Sequence, residues 1–289
     1  MLIIARGLLP LLLLLGVVAG PLLANGAEDA MDCAALRLAD LGGELFISVR
    51  HYPGVDPDDY ETINERTRDG FIPIISESPG FVLYALANIQ PDQLLAVNIF
   101  QSEDEMQASN EKAADFVREN LAPLLPEAPQ VTAGDVTVLA LPGHCDEDMQ
   151  DEDGEAMADD DGDEDDEEAM ADMQPLFLSF RHYTGFDQAD VPTIAGLVAA
   201  EFVQVISDSE GFRLYLNLNV ADEVYGAINV FTSEEEMTAS NEKAADFVAE
   251  ALAELLPEAP TITNGDVAIF HVGELEAALA MDAEEAADE

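Results

Sequence analysis

Tryptophan is absent from the 289 residues, cysteine occurs twice, and lysine only at positions 112 and 243. Two cysteines cannot make a disulfide-dense scaffold or a four-cysteine zinc site, and the lack of Trp removes one common aromatic anchor from any pocket. Ten Lys plus Arg face 61 Asp plus Glu, a formal charge of -51. That imbalance excludes partners held through phosphates, nucleic acid above all, and anionic bilayer surfaces. No stretch has metal-ligand spacing, a glycine-rich phosphate loop, or a nucleophile with a recognisable base beside it. Neither a metal nor a cofactor is therefore expected.

What is present suffices for folded cores: 48% of the residues are hydrophobic, over a length typical of two domains. Residues 1–24 carry Arg6, then an apolar run through Leu8–Val18, then small residues around Gly20 and Ala24, the layout of a cleaved export signal. The rival reading is an uncleaved anchor, because Gly7–Ala24 is uncharged. Pro10, Gly16, Gly20 and Pro21 favour the signal, with cleavage in Ala24–Ala27. The mature chain is then extracytoplasmic, periplasmic or secreted, with no stable membrane association after cleavage. No later segment reads as long and apolar enough to cross a bilayer.

Residues 44–143 align with 175–274 at a constant offset of 131, without a gap. Arg50-His51-Tyr52 returns as Arg181-His182-Tyr183, and Asn98-Ile99-Phe100 as Asn229-Val230-Phe231. The longest echo, Ala108–Val117 (ASNEKAADFV), is identical to Ala239–Val248. A unit of about 100 residues is too long for a solenoid repeat and has the size of a small domain. The division is therefore a signal at 1–24, repeat 1 at 44–143, an acidic linker at 146–174, repeat 2 at 175–273 and an acidic tail at 274–289. Asp146–Asp172 holds 17 acidic residues and no basic one, which keeps such a segment extended. Its Asp159–Asp163 stretch fails as a calcium loop, since placing Gly162 at position six puts Met157 at the first ligand position.

Each repeat reads as β-α-β-β-α-β, the split βαβ order of ferredoxin-like folds. Leu45–Tyr52 and Leu176–Tyr183 alternate as strands, 56–75 and 187–206 have helical spacing, and 81–89 with 94–101 reads as a hairpin, as does 212–220 with 225–232. Ser102 with Glu105, and Ser233 with Glu236, form capping boxes that open long helices ending near Pro126 and Pro257. Val136–Leu141 and Val267–Val272 supply the last strands. Since this topology sets the first strand beside the last, Cys33 and Cys145 flank neighbouring ends, and a disulfide is expected in the oxidising compartment, contributing about 3–5 kcal/mol. Two free thiols are the alternative.

With Arg-His-Tyr-x-Gly after the first strand, a Gly-Phe before the hairpin, a strand ending Asn-x-Phe and Ala-Ser-Asn-Glu-Lys-Ala in the second helix, each repeat resembles the antibiotic biosynthesis monooxygenase-like domains of the dimeric α/β-barrel superfamily. The resemblance implies an α+β fold of two tandem ferredoxin-like repeats, packed as an intramolecular barrel or paired with a second chain. It implies no single chemistry: members include cofactor-independent oxygenases and haem-degrading enzymes, the latter using a Trp that this chain lacks.

Strand alternation predicts Leu45, Ile47, Val49, Phe81, Leu83, Val97 and Ile99 against the helices. The opposite face, which a barrel would enclose, then carries Ser48, Arg50, Tyr52, Tyr84, Asn98 and Phe100 in repeat 1, and Ser179, Arg181, Tyr183, Arg213, Tyr215, Asn217, Asn229 and Phe231 in repeat 2. Buried Arg50 and Arg181 need partners, either an anionic ligand or acids such as Asp56 and Asp187. His51 and His182 fall on the other face near strand ends, and His144 and His271 have no evident partner. The leading expectation is a small aromatic or apolar ligand in the barrel interior. The alternatives are a cofactor-independent monooxygenase on an aromatic substrate, and a structural or interaction protein whose barrel is filled.

Overall fold

The computed structural model describes residues 36–37, 44–142, 174–220 and 224–273. The expected export signal, Cys33 and Cys145 with their expected disulfide, His144, the expected linker up to residue 173 and the acidic tail lie outside them. Nine strands are described: β1 (Leu36–Arg37), β2 (Leu45–Tyr52), β3 (Phe81–Ile89), β4 (Gln93–Phe100), β5 (Gln130–Leu141), β6 (Leu176–Tyr183), β7 (Phe212–Val220), β8 (Val224–Phe231) and β9 (Thr261–Val272). Four helical segments join them: α1 (57–76), α2 (103–121), α3 (188–207) and α4 (234–252). The order strand, helix, strand, strand, helix, strand thus occurs from β2 to β5 and again from β6 to β9.

Local chemistry sets the helix starts. The Asp56 and Asp187 side chains accept from the backbone N–H groups of Asp58 and Ala189, and Ser102 and Ser233 accept from those of Glu105 and Glu236. Every helix contains one wide π-type turn, at Thr67–Phe71, Val117–Leu121, Val198–Phe202 and Val248–Leu252. Hydrophobic spacing alone does not reveal these turns, because each shifts the buried stripe by a fraction of a turn. Segment α3 is long and apolar enough by length and composition to cross a membrane, with a mean hydropathy of 1.5, contrary to the sequence reading. Its apolar residues Val191, Ile194, Val198, Phe202, Val203 and Ile206 are the stripe it buries on the sheet.

All pairings are antiparallel, in the order β5-β2-β4-β3-β9-β6-β8-β7, and a β5–β7 pairing closes the ring into an eight-stranded barrel. The closure depends on the two long strands. The first half of β5 pairs with β2 (Leu45↔Val136 to His51↔Gln130), and its second half pairs with β7 (Asp135↔Asn219 to Ala140↔Tyr215). Strand β9 likewise leaves β6 for β3 (Asn88↔Asp266 to Leu83↔Val272). The sequence reading found only the second halves, because Gln130–Gly134 and Thr261–Gly265 are largely exposed and lack an apolar alternation. Beyond Leu141 the ladder continues into β1, where Leu36 pairs with Leu141.

The barrel interior is aliphatic. Leu45, Ile47, Val49, Leu83, Val97 and Ile99 meet Leu178, Leu214, Leu216, Leu218, Ile228 and Val230 there in one buried cluster. This reverses the expected faces: those residues of β2, β3 and β4 fill the barrel, and Arg50, Tyr52, Tyr84, Asn98, Arg181, Tyr183, Tyr215, Asn217 and Asn229 lie under the helices. The expected ligand site inside the barrel is corrected accordingly. Two facing sheets enclose a volume without a water route, so aliphatic packing is favoured there. A helix layer can instead bring its own polar side chains to meet those of the sheet. Two residues depart from simple alternation because bulges fall between Phe81 and Leu83 and between Phe212 and Leu214. Phe81 packs on the helix side, and Arg213 drops out of the Tyr215–Asn217 row, its guanidinium donating to the Phe212 carbonyl at 2.9 Å.

Glycine marks both handover points. A Cβ on Gly134 would strike the Asn219 carbonyl, and one on Gly265 the Asn88 carbonyl and the Ile89 side chain. Backbone cannot yield there without breaking the crossing. Gly134→Ala and Gly265→Ala are each expected to cost about 1–3 kcal/mol, read as a lower midpoint in thermal unfolding; an unchanged midpoint in both would show that the crossing is loose.

Candidate functional site

The polar face of each sheet is held by the duplicated helix motif. In the first half the Asn98 amide donates to Ser109 Oγ at 3.2 Å, and Lys112 Nζ donates to Ser78 Oγ at 2.8 Å. In the second half Asn229 donates to Ser240 Oγ at 2.7 Å and Lys243 to Ser209 Oγ at 2.7 Å. Between these contacts sits the arginine. Arg50 donates to Asn110 Oδ1, and Arg181 donates to Asn241 Oδ1 at 2.8 Å, which also accepts from Ser179 Oγ at 3.0 Å. The identity of ASNEKAADFV in both copies thus reflects a row of clamps from this helix to the sheet and to the turn that precedes the hairpin. Asn110, Asn241, Ser109 and Ser240 escaped the site prediction, although their exact repetition was the available signal.

Both guanidinium groups are buried, Arg50 at 4% and Arg181 at 2% exposure. Neither forms an ion pair: among the described residues the only salt bridges join Arg118 to Asp115 and Glu119 on the surface. Asp56 and Asp187, the expected acidic partners, cap helices instead. Arg181 Nε and Nη2 are buried without a hydrogen-bond partner. A buried, unpaired cation is costly, so these positions demand an explanation.

In the first half Arg50 lines a small cavity between sheet and helices, together with Tyr52, Tyr84, Thr67, Phe71, Leu86 and Leu94. Thr67 and Phe71 come from the wide turn of α1, and Val117 and Leu121, also in the lining, from that of α2. The cavity measures about 30 Å³, where one water needs about 10–15 Å³. It has room for a water or two, and a ring enters only if α1 and α2 part. Its lining contains no carboxylate, imidazole or thiol. Among the described residues, no group of three or more His, Cys, Asp or Glu side chains is placed to hold a metal.

The described histidines lie elsewhere. His51 bonds Gln93 at 2.8 Å, His182 stacks on Phe180, and His271 stacks on Phe81 and meets Ser76 Oγ at 2.9 Å.

Burial governs the phenols. Desolvation raises Tyr52 and Tyr183, and the adjacent Arg50 or Arg181 pulls each back in part. Tyr84 is raised by burial and by Tyr52, against Arg50. Tyr215 is pushed up to about 12 by burial and, less, by Tyr183, with Arg181 and a hydrogen bond to Asn217 opposing. Burial raises Tyr225 further, and Tyr60 is raised by its own burial against a backbone hydrogen bond to Gln93. At neutral pH Tyr52, Tyr84, Tyr183 and Tyr215 are neutral hydrogen-bond donors beside a fixed positive charge, a set able to stabilise a small anion.

All six tyrosines of the chain are therefore shifted in one direction. The folded state holds these protons above the unfolded pKa near 10, so their contribution is complete below pH 10 and is lost as pH rises. For Tyr215 the loss spans roughly pH 10 to 12. The expected result of a spectrophotometric alkaline titration is no tyrosinate signal at the ordinary pKa, then a cooperative rise that coincides with loss of far-ultraviolet dichroism. A tyrosine titrating independently near pH 10 in the folded protein would contradict the layers described.

No protein-family model and no curated protein matches the chain. Solved structures do. A candidate monooxygenase of Fusobacterium nucleatum subsp. nucleatum shares 10% identity over 80% of this chain and 95% of its own, with a TM-score of 0.57. A candidate monooxygenase of Lactobacillus acidophilus shares 8% over 79% and 96%, also at 0.57. An anthrone oxidase-like protein shares 9% over 83% and 97%, at 0.50. At such identities the likeness is one of fold alone: a mixed α+β barrel of eight antiparallel strands, all supplied here by one chain.

Proposed function

We propose that this is an exported binder of a small phenolic or otherwise weakly acidic aromatic compound, taken into the sheet–helix layer of the first half beside Arg50. On this reading the two halves are tandem ferredoxin-like copies paired with each other, and the acidic surface serves solubility. The observation that carries the proposal is a buried guanidinium without a carboxylate partner among the described residues. An anion between Arg50, Tyr52 and Tyr84 would supply the missing charge, and the apolar remainder of the lining suits a ring. The wide turns of α1 and α2 at the cavity are the places where the helices can give.

A second reading is cofactor-independent oxygenation in the same layer. The neighbouring folds include candidate monooxygenases and an anthrone oxidase-like protein. Oxidation of an acidic ring CH₂ to C=O consumes one O₂ and releases one water, so no external reductant is required. Arg50 would favour the substrate anion that donates electrons to O₂, and Tyr52 and Tyr84 would hold its oxygen. A third reading, a structural role, draws support from the filled barrel interior.

4-Nitrophenol serves as a probe because its absorption reports ionisation. It is expected to bind saturably, with its ionised form favoured, and Arg50→Ala should weaken binding about 10–100-fold, as for loss of a charge-assisted hydrogen bond. Equal affinity in a folded Arg50→Ala protein would remove Arg50 from the site. Oxygen uptake with anthrone and no added cofactor, abolished by the same substitution, is the outcome expected of the second reading; its absence would leave binding alone.

A further inference from the structure

Fourteen residues line the cavity beside Arg50, and eleven of them recur unchanged at the offset of 131, Arg181, Tyr183 and Tyr215 included. The three that differ are Thr67, Leu86 and Leu94, replaced by Val198, Asn217 and Tyr225. Two of these replacements act on the cavity directly. Tyr225, 1% exposed, sets its ring in the second layer against Tyr183 and Phe186, with centroids 6.5 and 6.1 Å away. Asn217 is anchored by its amide to the Gly226 carbonyl at 3.2 Å, and its Oδ1 accepts from the Tyr215 hydroxyl at 3.4 Å. The phenol equivalent to Tyr84 is thereby engaged by the protein.

We propose that the two halves are unequal by construction: the layer beside Arg50 admits the ligand, whereas the layer beside Arg181 is closed by the chain's own Tyr225 and Asn217, so that each chain binds one ligand. The inference rests on the ligand reading above and adds its stoichiometry and the residues that set it. Leu94 and Leu86 leave the small cavity next to Arg50 that a ring enters once α1 and α2 part. An aromatic side chain at the position of Leu94 occupies the space that a ring would use, and an amide at that of Leu86 engages the Tyr215 hydroxyl, while Arg181 Nε and Nη2 keep no partner. Thr67 against Val198 changes polarity at nearly constant volume and is not needed for the closure.

The test is a titration of the full chain with 4-nitrophenol, read by absorbance and by native mass spectrometry, with thermal unfolding as the control for folding. The wild type is expected to bind one molecule. The double variant Asn217→Leu/Tyr225→Leu, which gives the second layer the lining of the first at these positions, should bind two. The reciprocal Leu86→Asn/Leu94→Tyr should bind none while retaining a cooperative unfolding transition. Two molecules on the wild type would overturn the inequality and leave the ligand reading intact. None on the wild type would overturn the ligand reading itself. One molecule on the folded Asn217→Leu/Tyr225→Leu variant, or undiminished binding by the reciprocal variant, would show that these side chains do not close the second layer.

Discussion

The handover of β5 and β9 from one half to the other is the constraint on which the rest depends. Each long strand divides its hydrogen bonds, completing its own sheet first and then the opposite one. Closure into eight strands follows, and with it a volume between the sheets filled by apolar side chains, which leave no unmet polar groups there. The buried polar side chains Arg50, Asn98, Arg181, Asn217 and Asn229 are thereby placed on the outer face, under a helix. The same crossing carries Val138 and Ala140 of β5 into the second helix layer and Ile269 of β9 into the first. Neither layer is complete without a residue from the other half.

Basic side chains are few, and they are spent on neutral oxygen atoms. Arg66 and Arg68 donate to the carbonyls of Asn120 and Ala268, Lys112 and Lys243 to serines, and Arg50 and Arg181 to asparagines. Among the described residues only Arg118 meets carboxylates, on the surface. The clamps between helix and sheet are therefore not exposed ion pairs that salt would screen, while the repulsion among surface acids is of that kind. Added salt should relieve the repulsion and leave the clamps in place.

Much of the architecture was legible because periodicity and punctuation agreed. The capping serines, the hairpins and the offset of 131 placed every major element. Arg50, Tyr52, Tyr84 and Asn98 were correctly grouped on one face, because alternation fixes which side chains travel together. Which way that face points is not a property of a single strand, and the polar set was assigned to the wrong side. The aliphatic set had equal claim to either environment, and only closure of the barrel decides between them. The bulges that displaced Phe81 and Arg213, and the wide turns at Thr67–Phe71 and Val117–Leu121, left no trace in the spacing of apolar residues. Asn110 was legible in principle, as an exactly repeated polar residue on a helix, but its partner could be named only once the face was known.

One chain supplies both halves of this barrel, and that has a consequence for how its pockets can change. When a barrel is assembled from two identical subunits, any substitution is made twice, and a residue that fills one pocket fills the other. Here Leu94 and Tyr225 are separate codons for equivalent places. A pocket can be given up on one side, and its volume turned to packing, while the other side continues under its own selection. Covalent continuity has converted an obligatory symmetry into an optional one.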